Sequence, residues 1–194
     1  MAKQRVSKPK KQLDRFLVVC EGKCEVWYFG YVLNTEKYTT ISPGYSKSNA
    51  KKLIAYVEKI SSKRVYKKIY CVFDRDSKSN TVEQLQSANK IIKDSKGKLE
   101  RVLSNPCIEV AFWFNFFKYK KIFNDSDDVI ASLNKKLSKE YEKTENVIKH
   151  VHELTNFGQI CKNAKHVYYD QLKINDSNWL STEDGYSEIF KLGN

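Results

Sequence analysis

Residues 18–25 read VVCEGKCE: an apolar run that stops at Glu21-Gly22, with a second acid, Glu25, four residues after the first. The full run, DRFLVVC (14–20), has the length of a strand and lacks the alternation of a sheet with one wet face. A strand of that kind is covered on both sides, as in a parallel sheet flanked by helices. A second run, KKIYCVF (67–73), has the same character and also ends on acid, in Asp74-Arg75-Asp76. In parallel sheets ligands gather at the carboxyl ends of the strands. If the two strands are neighbours, their carboxylates meet at one edge.

The remaining pattern supplies the partners. Residues Cys24–Leu33 carry Val26, Trp27, Phe29, Tyr31 and Leu33, which suits a helix packed on the sheet. Tyr38–Ser42 reads as a short strand, and Ser48 or Asn49 caps a helix from Ala50 to about Ser62. Residues 82–93 read as helix, LERVLS (99–104) as a third central strand, SNPC (104–107) as a turn, and IEVAFWFNFF as a buried helix. From Asp127 the pattern is helical: to about Leu137, through 142–170, and from Ser181 to Leu192. The expected fold class is therefore α/β, with a central, mostly parallel sheet flanked by helices and a helical C-terminal extension. The expected organisation is a basic tail (1–12), an α/β domain (13–125) and a helical region (126–194) packed on it.

The chain has 194 residues, 35 Lys plus Arg and 23 Asp plus Glu, giving a net charge of +12. That excess favours polyanions, nucleic acid first and anionic membrane second; a lysine-rich composition without functional meaning is the alternative. The five cysteines include no CxxC pair, which argues against a zinc knuckle and for buried, reduced thiols. No stretch of about 18 apolar residues exists to span a bilayer, so a cytoplasmic protein is expected.

Two unit charges about 4 Å apart at an effective dielectric near 20 repel by roughly 4 kcal/mol. Clustered carboxylates therefore need protons, basic side chains or a cation. Hard oxygen ligands suit Mg²⁺ or Mn²⁺, and such an ion on a basic protein points to phosphodiester chemistry. Gly22 would allow a tight turn or a close phosphate approach. The alternative for Asp-x-Asp is a turn with a helix cap, which SKSN (77–80) also fits. Lys23, Lys47, Lys51 and Lys52 are candidate backbone contacts, with solvated lysines as the default reading. Lys23 belongs to no P-loop, because no GxxxxGK[ST] is present. Phe112, Trp113, Phe114, Phe116 and Phe117 read as core rather than a base-stacking platform, and His150, His152 and His166 do not suggest zinc.

An apolar strand ending in EG, followed about fifty residues later by one ending in D-x-D, resembles a Toprim domain. More narrowly, VVCEGKCEVWYF (18–29), YCVFDRDSK (70–78) and SNPCIEVAFWFNFF (104–117) resemble the RloB-like family, and WLSTEDGYSEIFKL (179–192) is similar to its closing helix. The resemblance implies a Toprim-like Rossmannoid fold and a Mg²⁺- or Mn²⁺-dependent nuclease. Asp74 and Asp76 would hold the metal, and Glu21 would be a ligand or a general acid/base. Glu25 would be a second catalytic acid. Glu109 would be a further ligand, unless it pairs with a lysine or caps its helix. It also implies a setting of anti-phage defence with an ATPase partner of the SMC/ABC type. The alternatives are a non-catalytic nucleic-acid-binding or ATPase-partner module, and a nucleotidyl transferase, for which no nucleotide pocket is evident. Cys24 stands where the family usually has threonine, and Asn115 where it often has histidine.

Overall fold

The computed structural model describes residues 12–43, 49–62, 65–75, 80–137, 140–182 and 184–192. Strand β1 (Gln12–Cys20) leads to helix α1 (Lys23–Val32), β2 (Tyr38–Ile41), α2 (Ala50–Ser61), β3 (Val65–Asp74), α3 (Val82–Asp94) and β4 (Leu99–Asn105). These elements fall where the periodicity predicts them. Leu17, Val18, Val19 and Cys20 are consecutive and wholly buried, and the successive Cys71, Val72 and Phe73 of β3 are at most 1% exposed. Burial of successive residues, whose side chains point to opposite faces, requires cover on both sides.

Sheet order is β2-β1-β3-β4-β5, where β5 is Tyr186–Ser187, with the first four strands parallel. The chain moves from β1 outward to β2, then crosses back to β3, so the winding reverses between β1 and β3. Right-handed crossovers then put α1 on one face and α2 and α3 on the other. The packing agrees: α2 lies against α3, while α1 lies against α6 (Glu145–Leu154). The fold is α/β and Rossmann-like, with seven α-helices among the described residues. Local chemistry fixes the helix starts. The Asn49 side chain accepts from Lys52 N, and Thr81 and Gln84 form a reciprocal capping box.

The second half departs from expectation in three places. The buried helix after SNPC, α4 (Glu109–Trp113), has one turn and a half, then gives way to turns. After α5 (Ser126–Asn134), the helix expected over 142–170 is broken. Thr155 is extended, and Asn156 caps α7 (Phe157–His166) while its own N–H donates to Asn115 Oδ1 at 2.8 Å. A π-helical turn, Val167–Gln171, follows α7.

The helix expected over 181–192 does not form. Tyr186 and Ser187 instead make β5, antiparallel to β4 opposite Asn105 and Ser104, and a 3₁₀ turn over Ile189–Leu192 closes the chain. Tertiary contacts override local pattern here. A Cβ on Gly185 would lie 2.7 Å from the Phe123 ring. Wholly buried Glu188 accepts from Arg101 Nε (2.9 Å), Arg101 Nη2 (2.7 Å), Tyr168 Oη (2.9 Å) and Leu103 N (3.0 Å). These donors, from β4 and the π-helical turn, hold the segment against the edge of β4. Burial works against the charge, but Lys191 and Arg101 hold the Glu188 carboxyl below its ordinary range.

Breaking this ion pair should be costly, because the remaining charge stays buried. Arg101→Met is expected to destabilise the fold by about 3–5 kcal/mol in urea denaturation. Arg101→Met with Glu188→Leu should recover much of that loss. A double variant as unstable as the single one contradicts the account.

Candidate functional site

The β1/β3 register places Cys20 opposite Val72, and Glu21 N continues the ladder to Val72 O at 3.0 Å. Glu21 is thereby delivered beside the last residues of β3, and its Oε2 accepts from Asp74 N at 3.3 Å. The two acids predicted to share an edge do so, at the point where the winding reverses. This is where ligands bind in doubly wound sheets.

Asn80 holds the pair, and sequence reading missed it. It is 2% exposed; its Nδ2 donates to Glu21 Oε2 (3.2 Å) and to the Asp74 carbonyl (2.8 Å), while its Oδ1 accepts from Ala50 N (2.6 Å). One amide thus ties β1, β3 and the start of α2 together. The signal was present in SKSN, read only as turn and cap chemistry. Thr81 is the cap, and Asn80 is the clamp.

Glu25 lies on the first turn of α1 and folds back over its start. A Cβ on Gly22 would fall 2.7 Å from Glu25 Oε2, so a side chain there would displace the folded-back carboxylate. Burial pushes Glu25 up to about 7, against the backbone amides of Glu25 and Gly22 that favour the charged form; Glu109 adds to the rise. Asp74 is driven well above the ordinary carboxylate range, first by burial and then by Glu25, Glu109 and Glu21. Its Oδ1 is sealed from solvent and has no hydrogen-bond partner.

Glu109 behaves differently. It is wholly buried at the start of α4, where Oε1 meets Lys143 Nζ (3.0 Å) and Tyr141 Oη (2.8 Å). Burial would raise its pKa, but Lys143 and the Cys107 thiol leave it below the ordinary value. The lysine pairing weighed from sequence is what forms. Glu109 still faces the others electrostatically, with its Oε2 unpartnered.

Asp76 and Lys47 lie outside the described residues. Lys23, Lys51 and Lys52 are exposed. Among the described residues, no three His, Cys, Asp or Glu side chains form a group arranged to hold a metal ion. His152 stacks on Tyr31, and His166 pairs with Asp170 at 2.7 Å. Cys20, Cys24, Cys71 and Cys107 are buried, Cys161 is half-buried, and all are free thiols. Phe112, Trp113 and Phe114 are core. No described helix is long and apolar enough to cross a membrane.

The RloB-like protein family model matches residues 16–192, from the first central strand to the closing 3₁₀ turn. The chain belongs to the RloB-like family. No curated protein and no solved structure matches it. The family match spans all three quoted blocks and the C-terminal segment, so the acids, Asn80 and Glu188 all lie within it.

Glu25 gives this rim a pH signature. Because its folded pKa exceeds the unfolded value of 4.5, the folded state holds the extra proton between pH 4.5 and about 7. Stability from this group therefore falls as pH rises through that window, and the penalty is complete above it. In chelator-treated protein, Glu25→Gln should reduce the fall, gaining about 3 kcal/mol at alkaline pH, with Asp74 left to contribute the rest. Parallel pH–stability profiles for the two proteins contradict the assignment.

Proposed function

We propose that this chain is a metal-dependent nuclease that hydrolyses phosphodiester bonds of DNA or RNA. The observation that carries the reading is Asp74: a carboxylate with a sealed, unpartnered oxygen, opposed by three other acids at the sheet's switch point. A net charge of +12 on the same chain suits a polyanionic substrate. An orphaned oxygen among acids fits a hard cation better than it fits a closed structural site. Glu21 and Asp74 would hold the ion, with Asp76 two residues further on. Bound Mg²⁺ or Mn²⁺ would supply charge neutralisation at the phosphate and a more acidic water.

The chain's own residues would do the rest. Asn80 and Asp74 N orient Glu21. Glu25, pushed up to about 7, lies in the range suited to moving a proton at neutral pH. Glu109, held in its charged form by Lys143, adds to the field that raises the Asp74 proton affinity. The Toprim resemblance adds a role in anti-phage defence beside an ATPase of the SMC/ABC type.

One observation favours a second reading, a non-catalytic nucleic-acid-binding or ATPase-partner module. Glu109 already has a lysine, and the described acids do not complete a three-ligand group. In that case protons alone would keep the rim stable. Asp74→Asn separates the two. On the nuclease reading it lowers Mn²⁺-dependent cleavage of oligonucleotides by roughly a hundredfold or more while the melting temperature is kept or raised, since a buried like charge is gone. Cleavage unchanged by Asp74→Asn contradicts the nuclease assignment.

A further inference from the structure

A second basic surface lies apart from the lysines singled out in the sequence near α1 and α2. That surface surrounds the turn at 118–121, KYKK, which follows the buried aromatics of α4. The Gln171 side chain clamps the turn: its Oε1 accepts from Lys120 N (2.7 Å) and its Nε2 donates to Lys118 O (2.9 Å). Gln171 ends the π-helical turn, a geometry often found at functional sites. Between the turn and α7 lies an open cleft of about 460 Å³ whose walls include Lys118, Lys162, Lys165 and Tyr169.

Two aromatic rings stand on this surface. Tyr119 is 51% exposed and packs edge-on to Trp113 and Phe117; Tyr169 is 50% exposed and packs on Tyr168 and Phe190. Each ring is anchored on its inner side and open on its outer side. Consecutive helical residues point in different directions, so Tyr168 is buried on Glu188 while Tyr169 is left outward. The nearby acids are engaged: Asp170 with His166, Asp128 with Asn124, and Asp184 with Lys120 at 4.0 Å. Among the described residues, Lys118, Lys162 and Lys165 have no carboxylate within ion-pair distance; the described salt bridges involve other lysines.

The surface is joined to the acidic rim. Arg75, next to Asp74, donates to the carbonyls of Leu180 and Thr182. Asn105 Nδ2 donates to Asp184 O at 2.8 Å, and Gly185 N donates to Lys121 O at 2.7 Å. Leu180 and Thr182 therefore lie at the end of β3, and Asp184 and Gly185 between Asn105 and the KYKK turn, making a strap on the same edge of the sheet as Glu21.

We propose that the KYKK turn, α7 and Tyr169 form a track for single-stranded nucleic acid, which the strap leads to the carboxylates. Lysines contact the phosphates, and Tyr119 and Tyr169 stack on bases that only an unpaired strand can offer. The choice of substrate class deepens the nuclease reading and rests on it, but binding is measurable without cleavage.

The test is fluorescence anisotropy with a labelled mixed-sequence 20-mer in EDTA, across a salt series. Lys118→Ala/Lys162→Ala/Lys165→Ala is expected to weaken binding at least tenfold and to reduce the magnitude of the log–log salt slope by about 2. Tyr119→Ala and Tyr169→Ala should each cost roughly tenfold on the single strand and little on a duplex. Binding is read in EDTA, so it stands even if no cleavage is ever seen. The control Lys23→Ala/Lys51→Ala/Lys52→Ala removes the same charge elsewhere. Equal loss in that control overturns the track. So does tighter binding to duplex, silence of both tyrosine variants, or binding to anionic phosphatidylserine vesicles in place of the oligonucleotide.

Discussion

The structure is organised around one electrostatic constraint: apolar strands deliver carboxylates to a rim where water is scarce. Placing like charges there costs several kcal/mol per close pair, and each acid is relieved differently. Glu109 has Lys143 and Tyr141. Glu25 has the amides at the start of α1, made accessible because residue 22 lacks a side chain. Glu21 accepts from Asn80 and Asp74 N. Asp74 carries what is left, with one oxygen sealed and unpartnered. The folded core can sustain this because β1, β3 and β4 are buried on both faces. Each fully buried Leu, Val or Phe contributes about 1.5–3 kcal/mol against the strain at the rim.

A second buried charge system secures the other side of the site. Glu188 and Arg101 fix the C-terminal segment beneath β4, with the Arg101 guanidinium also stacked on Trp179 at 4.1 Å. That anchorage holds Leu180 and Thr182 against Arg75, and Asp184 against Asn105. The C-terminal segment is thus part of the sheet and part of the rim. Its buried polar residues serve the architecture, while Tyr169 is left half exposed.

The first half of the fold was legible because its signals are local. Fully apolar strands, capped amphipathic helices and acids at strand ends can each be read from a few adjacent residues, and β1 to β4 fall accordingly. The pairing of Glu21 with Asp74 followed from two strands ending alike. What escaped depends on contacts across the chain. Asn80 looks like turn chemistry until Ala50 and Glu21 are seen beside it. Glu188 sits in a helix-like pattern, yet four donors from β4 and the π turn draw its segment into a strand. The break at Thr155–Asn156 is stabilised by Asn115, forty-one residues away in sequence. Tyr119 and Tyr169 were inconspicuous because exposure, not identity, sets them apart from the aromatic core.

The central claim is that cation capture replaces protons at the switch point. Calorimetric titration of the protein with Mn²⁺ at neutral pH, in buffers of different ionisation enthalpy, measures both the binding and the protons displaced. The account predicts saturable binding with net proton release, lost in Asp74→Asn. Absence of binding, or binding that releases no proton and is indifferent to Asp74→Asn, would contradict it.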